Sequence, residues 1–255
     1  MKRILSYNVN GIRSVMRKGF FDWLKSENPD ILCLQEIKAF REQIDTDEFA
    51  RLGYLLYTFP AERPGYSGVA IISKDKPAHV AYGMENMKYD REGRVIRLDF
   101  DNFSVISAYF PSGTAGGPRQ VYKMDFLSDF HSYLNKLKLV FPNLVISGDF
   151  NICRLWIDIH NPEKQKNTSG FLPEEREWFQ NFVNDGYIDT FREVVPEPGF
   201  YSWWSYRAAS RARNKGWRID YHMVSSALKN KIGGAGILSE IAYSDHCPVW
   251  VEIEE

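Results

Sequence analysis

Four short polar islands stand beside apolar runs in this chain: Ser6-Tyr7-Asn8-Val9-Asn10-Gly11, Leu34-Gln35-Glu36, Gly148-Asp149-Phe150-Asn151 and Ser244-Asp245-His246. Each borders a stretch that reads as a β-strand. A polar side chain costs little at a strand end, where water, metal or substrate can reach it. If those strands lie side by side, their carboxylates, amides and imidazole form one acidic site ready for a metal. That is the layout of a metal-dependent phosphoester hydrolase.

Asp149 and Asn151 are two residues apart and share a face if the backbone stays extended. A carboxylate there orients or deprotonates water, and an amide donates to a phosphoryl oxygen. An Asx-rich turn closing the strand is the plainer alternative. Asp245 can bind metal and His246 can grip or protonate a phosphate, although an Asp-His pair in a loop is often only a solvated turn. Asp220 sits inside an apolar strand pattern, where an unpaired carboxylate is expensive. A buried pair with His246 would satisfy it and fix the imidazole tautomer; Arg218 is the rival partner. Glu36 ends an apolar strand as one carboxylate among amides and water, a set that suits Mg²⁺, or it pairs with Lys38. Asn8 and Asn10 follow the first strand on one face and also fit a turn into Gly11. Tyr109 closes another strand, where a rim tyrosine is common.

Arg207, Arg211, Arg213, Lys215 and Arg218 occur over residues 205–219 without one acid, bracketed by Tyr201, Trp203, Trp204, Tyr206 and Trp217. Cations that neutralise phosphates, beside rings that stack or wedge, suit nucleic acid; a solvated basic loop over a Trp-rich core is the alternative. With 32 basic and 33 acidic residues among 255, the formal net charge is −1. That disfavours strong non-specific DNA binding without excluding a local basic face. An apolar fraction of 44% disfavours disorder. Three scattered cysteines, Cys33, Cys153 and Cys247, argue against a disulfide framework or cysteine zinc site and for a reducing compartment. No secretory signal or membrane-length apolar run is visible, so a cytoplasmic location is expected.

The elements that must position these residues are short. Strands are expected at residues 3–7, 31–34, 54–59, 69–73, 95–100, 104–110, 144–147, 219–224 and 249–253. Helices are expected at 19–27, 121–139 and 173–184, the last opened by Pro173 with Glu174 and Glu175 at its positive end. Few helices separate successive strands, and 95–100 with 104–110 reads as a hairpin. Two packed sheets with helices outside fit better than one doubly wound sheet. Residues 111–120 and 157–171 form loops too long to be mere connectors.

Taken together, the ordered series resembles the exonuclease III family of apurinic/apyrimidinic (AP) endonucleases, in its compact bacterial branch. The resemblance is carried by N-V-N-G at 8–11, L-Q-E at 34–36, Y-S-G-V-A at 66–70, G-R at 93–94, Y-F-P-S-G at 109–113, G-D-F-N at 148–151, I-D-I-H-N-P at 157–162, S-G-F-L-P-E-E-R at 169–176, G-W-R-I-D-Y at 216–221 and S-D-H at 244–246. It covers the full chain. It implies one catalytic domain over residues 1–255, built as a four-layer α/β sandwich of two mixed β-sheets flanked by helices.

The resemblance further implies Mg²⁺-dependent hydrolysis (Mn²⁺ as a substitute) 5′ to abasic sites in double-stranded DNA, with removal of 3′-blocking groups and 3′–5′ exonuclease action. The alternative is a 3′-end-processing nuclease or phosphatase with weak AP incision. A monomer is expected, nucleoid-associated when on DNA. Catalytic roles fall to Tyr109, Asp149, Asn151, Asp220 and His246, and the metal shell to Asn8, Asn10, Glu36, Asp149, Asn151, Asp245 and His246. Trp203, Trp217 and Ile219 would wall the pocket for a flipped abasic sugar. Arg207 and Arg211 would meet DNA.

The chain departs from the family pattern in places. Asn10 stands where many relatives carry Asp, and Ser112 replaces a frequent Asn. Arg154 and Trp156 follow the G-D-F-N turn, where relatives usually have His and then small, polar or acidic residues. The expectation is that these two narrow the sugar pocket or add a DNA contact.

Overall fold

A strand covered on both faces needs apolar side chains at nearly every position, not at alternate ones. That is the pattern here. The structure, a computed structural model, describes residues 1–254. Its strands are β1 (Lys2–Asn8), β2 (Ile31–Gln35), β3 (Leu55–Phe59), β4 (Val69–Ser73), β5 (His79–Tyr82), β6 (Val95–Asp99), β7 (Ser104–Tyr109), β8 (Leu144–Asp149), β9 (Tyr187–Asp189), β10 (Asp220–Ser225), β11 (Ile232–Ile237) and β12 (Val249–Ile253). Every residue of β2, β4, β6, β8 and β10 is buried.

Two six-stranded sheets form, in the orders β11-β12-β1-β2-β4-β3 and β5-β6-β7-β8-β10-β9. The two orders repeat one plan. A central parallel pair, β1 with β2 or β7 with β8, is flanked by antiparallel strands. Ile4, Ile31, Cys33, Ile71, Val105, Val145 and Val251 fill the space between the sheets. On the outer face of the first sheet, Leu5, Leu32 and Leu34 pack with Phe20, Trp23 and Leu24 of the helix Phe20–Glu27. Over the second, Ile106, Ile146 and Phe150 meet Phe126, Phe130 and Leu134 of the helix Gly117–Lys138, and Phe179 and Phe182 of the helix Pro173–Asn184. Helix, sheet, sheet and helix make the expected four layers.

Several elements differ from the sequence expectation. The long helix starts at Gly117, so the latter part of the expected 111–120 loop is helical. Strands β5, β9 and β11 were not anticipated. Strand β11 carries Gly233, Gly234 and Gly236, which weaken a strand signal. Their purpose is space: a Cβ at Gly236 would press on the Trp250 indole of neighbouring β12. The residues 157–171 hold a single 3₁₀ turn, Trp156–Asp158, and a short helix, Pro162–Gln165. Among the described residues no helix is long and apolar enough to cross a membrane. Cys33, Cys153 and Cys247 are buried free thiols.

A polar seam crosses the apolar interior just below the site. Gln35 Nε2 donates to Ser107 Oγ at 3.0 Å and to Ser6 Oγ at 3.1 Å, and Ser107 Oγ donates to the Leu34 carbonyl at 3.2 Å. On the other side of the parallel pairs, His222 Nε2 lies 3.0 Å from the Val249 carbonyl and Nδ1 lies 2.8 Å from Ser147 Oγ. A carbonyl only accepts, so Nε2 carries the hydrogen and Nδ1 accepts from the serine. These bonds staple one sheet to the other and fix the register of the strand ends above them.

Burial holds the His222 imidazole down to about 4, from an ordinary 6.5. The unfolded chain therefore takes up a proton that the fold refuses. This contribution to stability is complete above pH 6.5 and is lost as pH falls toward 4. The thermal midpoint is expected to fall across that window, and His222→Gln to flatten the slope; an unchanged slope would trace acid unfolding to other groups.

Candidate active site

The site residues come together because the strands carrying them end at one edge of the sandwich. β1 ends at Asn8 beside Gln35 of β2, and Glu36 follows immediately. Tyr109 of β7 is in register with Asp149 of β8, which in turn faces Asp220 of β10. Asp245 and His246 lie just before β12. Gly148 lets β7 and β8 approach: a Cβ there would collide with the Ala108 carbonyl oxygen.

The backbone is bent to aim these side chains. Asn10, Glu36, Lys38 and Asn151 all have positive φ, between 44° and 53°. Each non-glycine residue in this region costs on the order of 1–3 kcal/mol, a cost that persists where the surroundings over-determine the conformation. At Glu36 and Asn151 it lets the chain turn directly after a strand and point a polar side chain back over the strand end.

At the centre, Asn8 Nδ2 donates to Glu36 Oε1 at 2.8 Å and to Asp149 Oδ2 at 2.9 Å, while its Oδ1 accepts from the Asn10 N–H at 3.0 Å. Two carboxylates on one side and an N–H on the other fix which way this amide faces. Asn8 is thus a clamp between the acids, with its oxygen turned away from them. Asp149 Oδ1 accepts from the Asn151 N–H at 2.8 Å, and Asn151 Nδ2 donates to the Phe110 carbonyl at 2.9 Å and, at a long 3.3 Å, to Asp149 Oδ2.

His246 Nδ1 lies 2.8 Å from Asp220 Oδ2, and its Nε2 lies 3.9 Å from Asp149 Oδ2. The Asp220–His246 pairing expected from sequence is present. Arg218, the rival, is engaged elsewhere, with its guanidinium bonded to both Asp158 and Asp189. Burial disfavours a charged imidazole, yet Asp220, Asp149 and Asp245 overcome it and lift His246 to about 10. His246 is therefore doubly protonated at neutral pH, with Nε2–H free to donate into the cavity. Burial, reinforced by Asp220 and Glu36, pushes Asp149 up to about 7 against the pull of His246. That is the range in which a carboxylate serves as a base near neutrality. For Glu36, burial acts upward, but Lys38 and Asn8 bring it below the usual range. Burial drives the Tyr109 phenol well above 10, so it is a neutral donor.

Oxygens of Glu36 and Asp149 and a nitrogen of His246 lie within 4.8 Å of one another. Lys38 Nζ sits 2.7 Å from Glu36 Oε2 and 2.5 Å from Asn10 Oδ1, so positive charge is already accommodated there. Asp245 is tied to Asn10 Nδ2 and Trp203 Nε1, both at 3.0 Å. Hard carboxylate and amide oxygens fit a hard divalent cation.

Above this floor is a cavity of about 350 Å³ lined by Glu36, Tyr109, Asp149, Asn151, Asp245 and His246, with Trp203, Trp217 and Ile219. Trp203 and Trp217 meet edge to face, with centroids 6.1 Å apart. Both expected functional loops contribute: Ser112 and Thr114 from the first, Thr168, Ser169 and Gly170 from the second. Gly170, at φ 97°, lies where a Cβ would press on the Trp217 ring at 2.9 Å.

The structure places four of the expected DNA residues outside this cavity. Arg154 turns toward Asp189, 3.6 Å away, rather than toward the pocket. Trp156 is 43% exposed and packs edge-on against Phe171, with the Arg176 guanidinium over its ring. Arg211 is spent on the carbonyls of Ser239, Ile241 and Ser244 while lying over Trp204, so it holds the segment leading into Asp245. Arg207 is exposed. Ser202 escaped sequence reasoning: its buried hydroxyl donates to Asp220 Oδ2 at 2.6 Å and accepts from the N–H groups of Ile219 and Asp220. One serine between two aromatic residues carries no distinguishing pattern.

A model of the endonuclease/exonuclease/phosphatase family matches residues 5–246. An exodeoxyribonuclease of Bacillus subtilis (strain 168) is 44% identical over 249 residues, covering 97% of each chain. The chain belongs to this family. Within it the chain is of the exonuclease III type. An AP endonuclease structure from Archaeoglobus fulgidus matches with TM-score 0.91 at 29% identity, covering 100% of both chains. A 3′ phosphatase from Neisseria bound to a product DNA hairpin matches with TM-score 0.93 at 30% identity, again over 100% of both. This nuclease brings acid, amide and imidazole groups together at its strand ends.

Proposed function

We propose that this DNA-repair nuclease uses Mg²⁺ to hydrolyse duplex DNA immediately 5′ to an abasic site, leaving a 3′-hydroxyl, and trims blocked 3′ ends in the same cavity. The observation that carries this reading is an apolar wall of Trp203, Trp217 and Ile219 in one cavity with a polar floor of the acids Glu36 and Asp149 and the His246 imidazole. A sugar without a base, turned out of the duplex, suits the wall, and its 5′ phosphate then lies over the floor.

Glu36 would hold the cation, with oxygens of Asp245 and Asn10 beside it; bound there, it would neutralise charge on the phosphate. Asp149 accepts the proton of the attacking water. As the water oxygen bonds to phosphorus, the bond to the 3′ oxygen breaks, and that oxygen takes a proton from solvent water and leaves as a hydroxyl. His246 Nε2–H and the Tyr109 hydroxyl donate to the phosphate oxygens. The long N–H contact from Asn151 to Asp149 is the one most readily exchanged for a phosphoryl oxygen. Asp220 and Ser202 keep the imidazole charged and oriented.

The test is a substrate panel: a duplex with one internal abasic analogue, a nicked duplex with a 3′-phosphate, and an intact duplex. Cutting 5′ to the lesion, giving an end that a polymerase extends, is expected. Trimming of the blocked end alone would favour the 3′-end-processing alternative, and equal cutting of intact duplex would sink both.

Because Trp156 is exposed and does not line the cavity, its contribution in this reading is to binding rather than pocket size. Trp156→Ala is expected to weaken duplex affinity by about fivefold or more, the loss of one stacking contact, at constant kcat. An unchanged Kd would remove Trp156 from the DNA path. The working form in this reading is a monomer on nucleoid DNA in the cytoplasm, checked by sedimentation of the free and DNA-bound protein.

A further inference from the structure

Lysine is almost never fully buried unless paired. Lys123, on the helix Gly117–Lys138, and Glu175, in the first turn of the helix Pro173–Asn184, are both 0% exposed and lie 2.6 Å apart. Removing two charges from water is costly, and apolar residues of similar volume often serve stability as well or better. The partners of this pair indicate what it does instead.

Lys123 Nζ donates to the Asn151 carbonyl at 2.8 Å. Glu175 Oε2 accepts from the N–H groups of Gly170, at 2.6 Å, and Leu172, at 3.0 Å. Glu175 Oε1 accepts from Gln120 Nε2 at 3.0 Å and Ser169 Oγ at 3.3 Å. The two segments so held are Asn151, bent into positive φ at the cavity floor, and Ser169–Gly170, the wall that backs Trp217. They are also joined directly, since the Cys153 N–H donates to the Gly170 carbonyl at 2.7 Å.

We propose that Lys123 and Glu175 are positioning residues: their buried ion pair locks the Asn151 main chain, and with it the side-chain amide it carries, to the Ser169–Gly170 wall, so that floor and wall meet the phosphate and sugar in one fixed geometry. The inference rests on the reading of Asn151 as a donor to the phosphate. Neither side chain reaches the cavity, so loosening the pair moves the Asn151 amide without removing it. A displacement of that kind slows chemistry steeply while leaving binding intact.

The experiment compares wild type with Lys123→Met/Glu175→Gln, which removes both charges and keeps an oxygen for the Gly170 and Leu172 amides. Single-turnover kcat on the abasic duplex, Kd for the same duplex in EDTA, thermal midpoint, and hydrogen exchange of the Asn151 and Gly170 amides are measured. The expected result is a thermal midpoint near wild type, unchanged Kd, faster exchange at both amides, and kcat reduced by roughly 10²-fold. A folded double variant with wild-type kcat overturns the proposal. Should the double variant fail to fold, Glu175→Gln alone decides: kcat must fall at unchanged Kd, and an unchanged kcat overturns the proposal. Asn151→Ala separates the two levels. If it cleaves at the wild-type rate, the reading of Asn151 itself fails. If it is slow while the double variant is fast, only the positioning role fails.

Discussion

Asp149→Asn is expected to lower the rate of strand cleavage by about 10⁴-fold and to leave duplex binding in EDTA unchanged. The geometry makes this the most damaging single substitution. Asp149 Oδ1 and Oδ2 each receive N–H groups, from Asn151 and from Asn8, so the carboxylate is held by donors on both sides. An amide offers one acceptor where two are called for. Its NH₂ must face another donor, so it loses orientation as well as basicity. Burial with Asp220 and Glu36 nearby is what raises Asp149 to about 7 and makes it a base at working pH. Rapid turnover by the variant would show that the proton goes elsewhere.

His246→Gln is the second large effect, with kcat expected to fall by about 10²- to 10³-fold, the loss of one donor to a developing anion. It leaves Asp220 as a buried charge with Ser202 as its remaining partner, so some loss of stability accompanies it. Asp220→Asn separates the two consequences. With Asp220 gone, the main support for the charged imidazole goes too, and His246 falls from about 10 toward its ordinary 6.5. The sign follows: wild type retains the Nε2–H donor throughout the neutral range, whereas the variant loses it as pH rises, so its rate recovers on acidification. Combined in one protein, the two substitutions should cost little more than His246→Gln alone, because Asp220 acts through the histidine. Additive losses would mean that Asp220 has a separate role.

The four polar islands were legible because a carboxylate, amide or imidazole at the end of an apolar run breaks a pattern that burial otherwise enforces. The strands they border, β1, β2, β8 and β12, were legible for the same reason. The sandwich followed from their number and from the scarcity of intervening helices. What escaped has physical reasons too. The glycines of β11 make room for Trp250, a contact that exists only once β12 is alongside. Ser202 and the Lys123–Glu175 pair owe their roles to partners many positions away. Composition misled at the basic segment: a run of cations reads as a phosphate surface, yet Arg218 is buried between two aspartates and Arg211 ties down backbone carbonyls. Counting charges cannot separate cations that build the frame from cations that face solvent.

The central claim is a divalent-cation hydrolytic site in which Glu36 holds the cation, Asp149 takes the proton of water and His246 donates to the phosphate, beneath a pocket for a base-less sugar. Its most direct test is incision of a duplex bearing a single internal abasic analogue, with Mg²⁺ and with EDTA, in wild type and in Glu36→Gln. Cleavage immediately 5′ to the lesion, abolished by EDTA and requiring far more Mg²⁺ in Glu36→Gln, is the predicted result. Cleavage that persists in EDTA, or a Glu36→Gln protein with wild-type Mg²⁺ dependence, would contradict it.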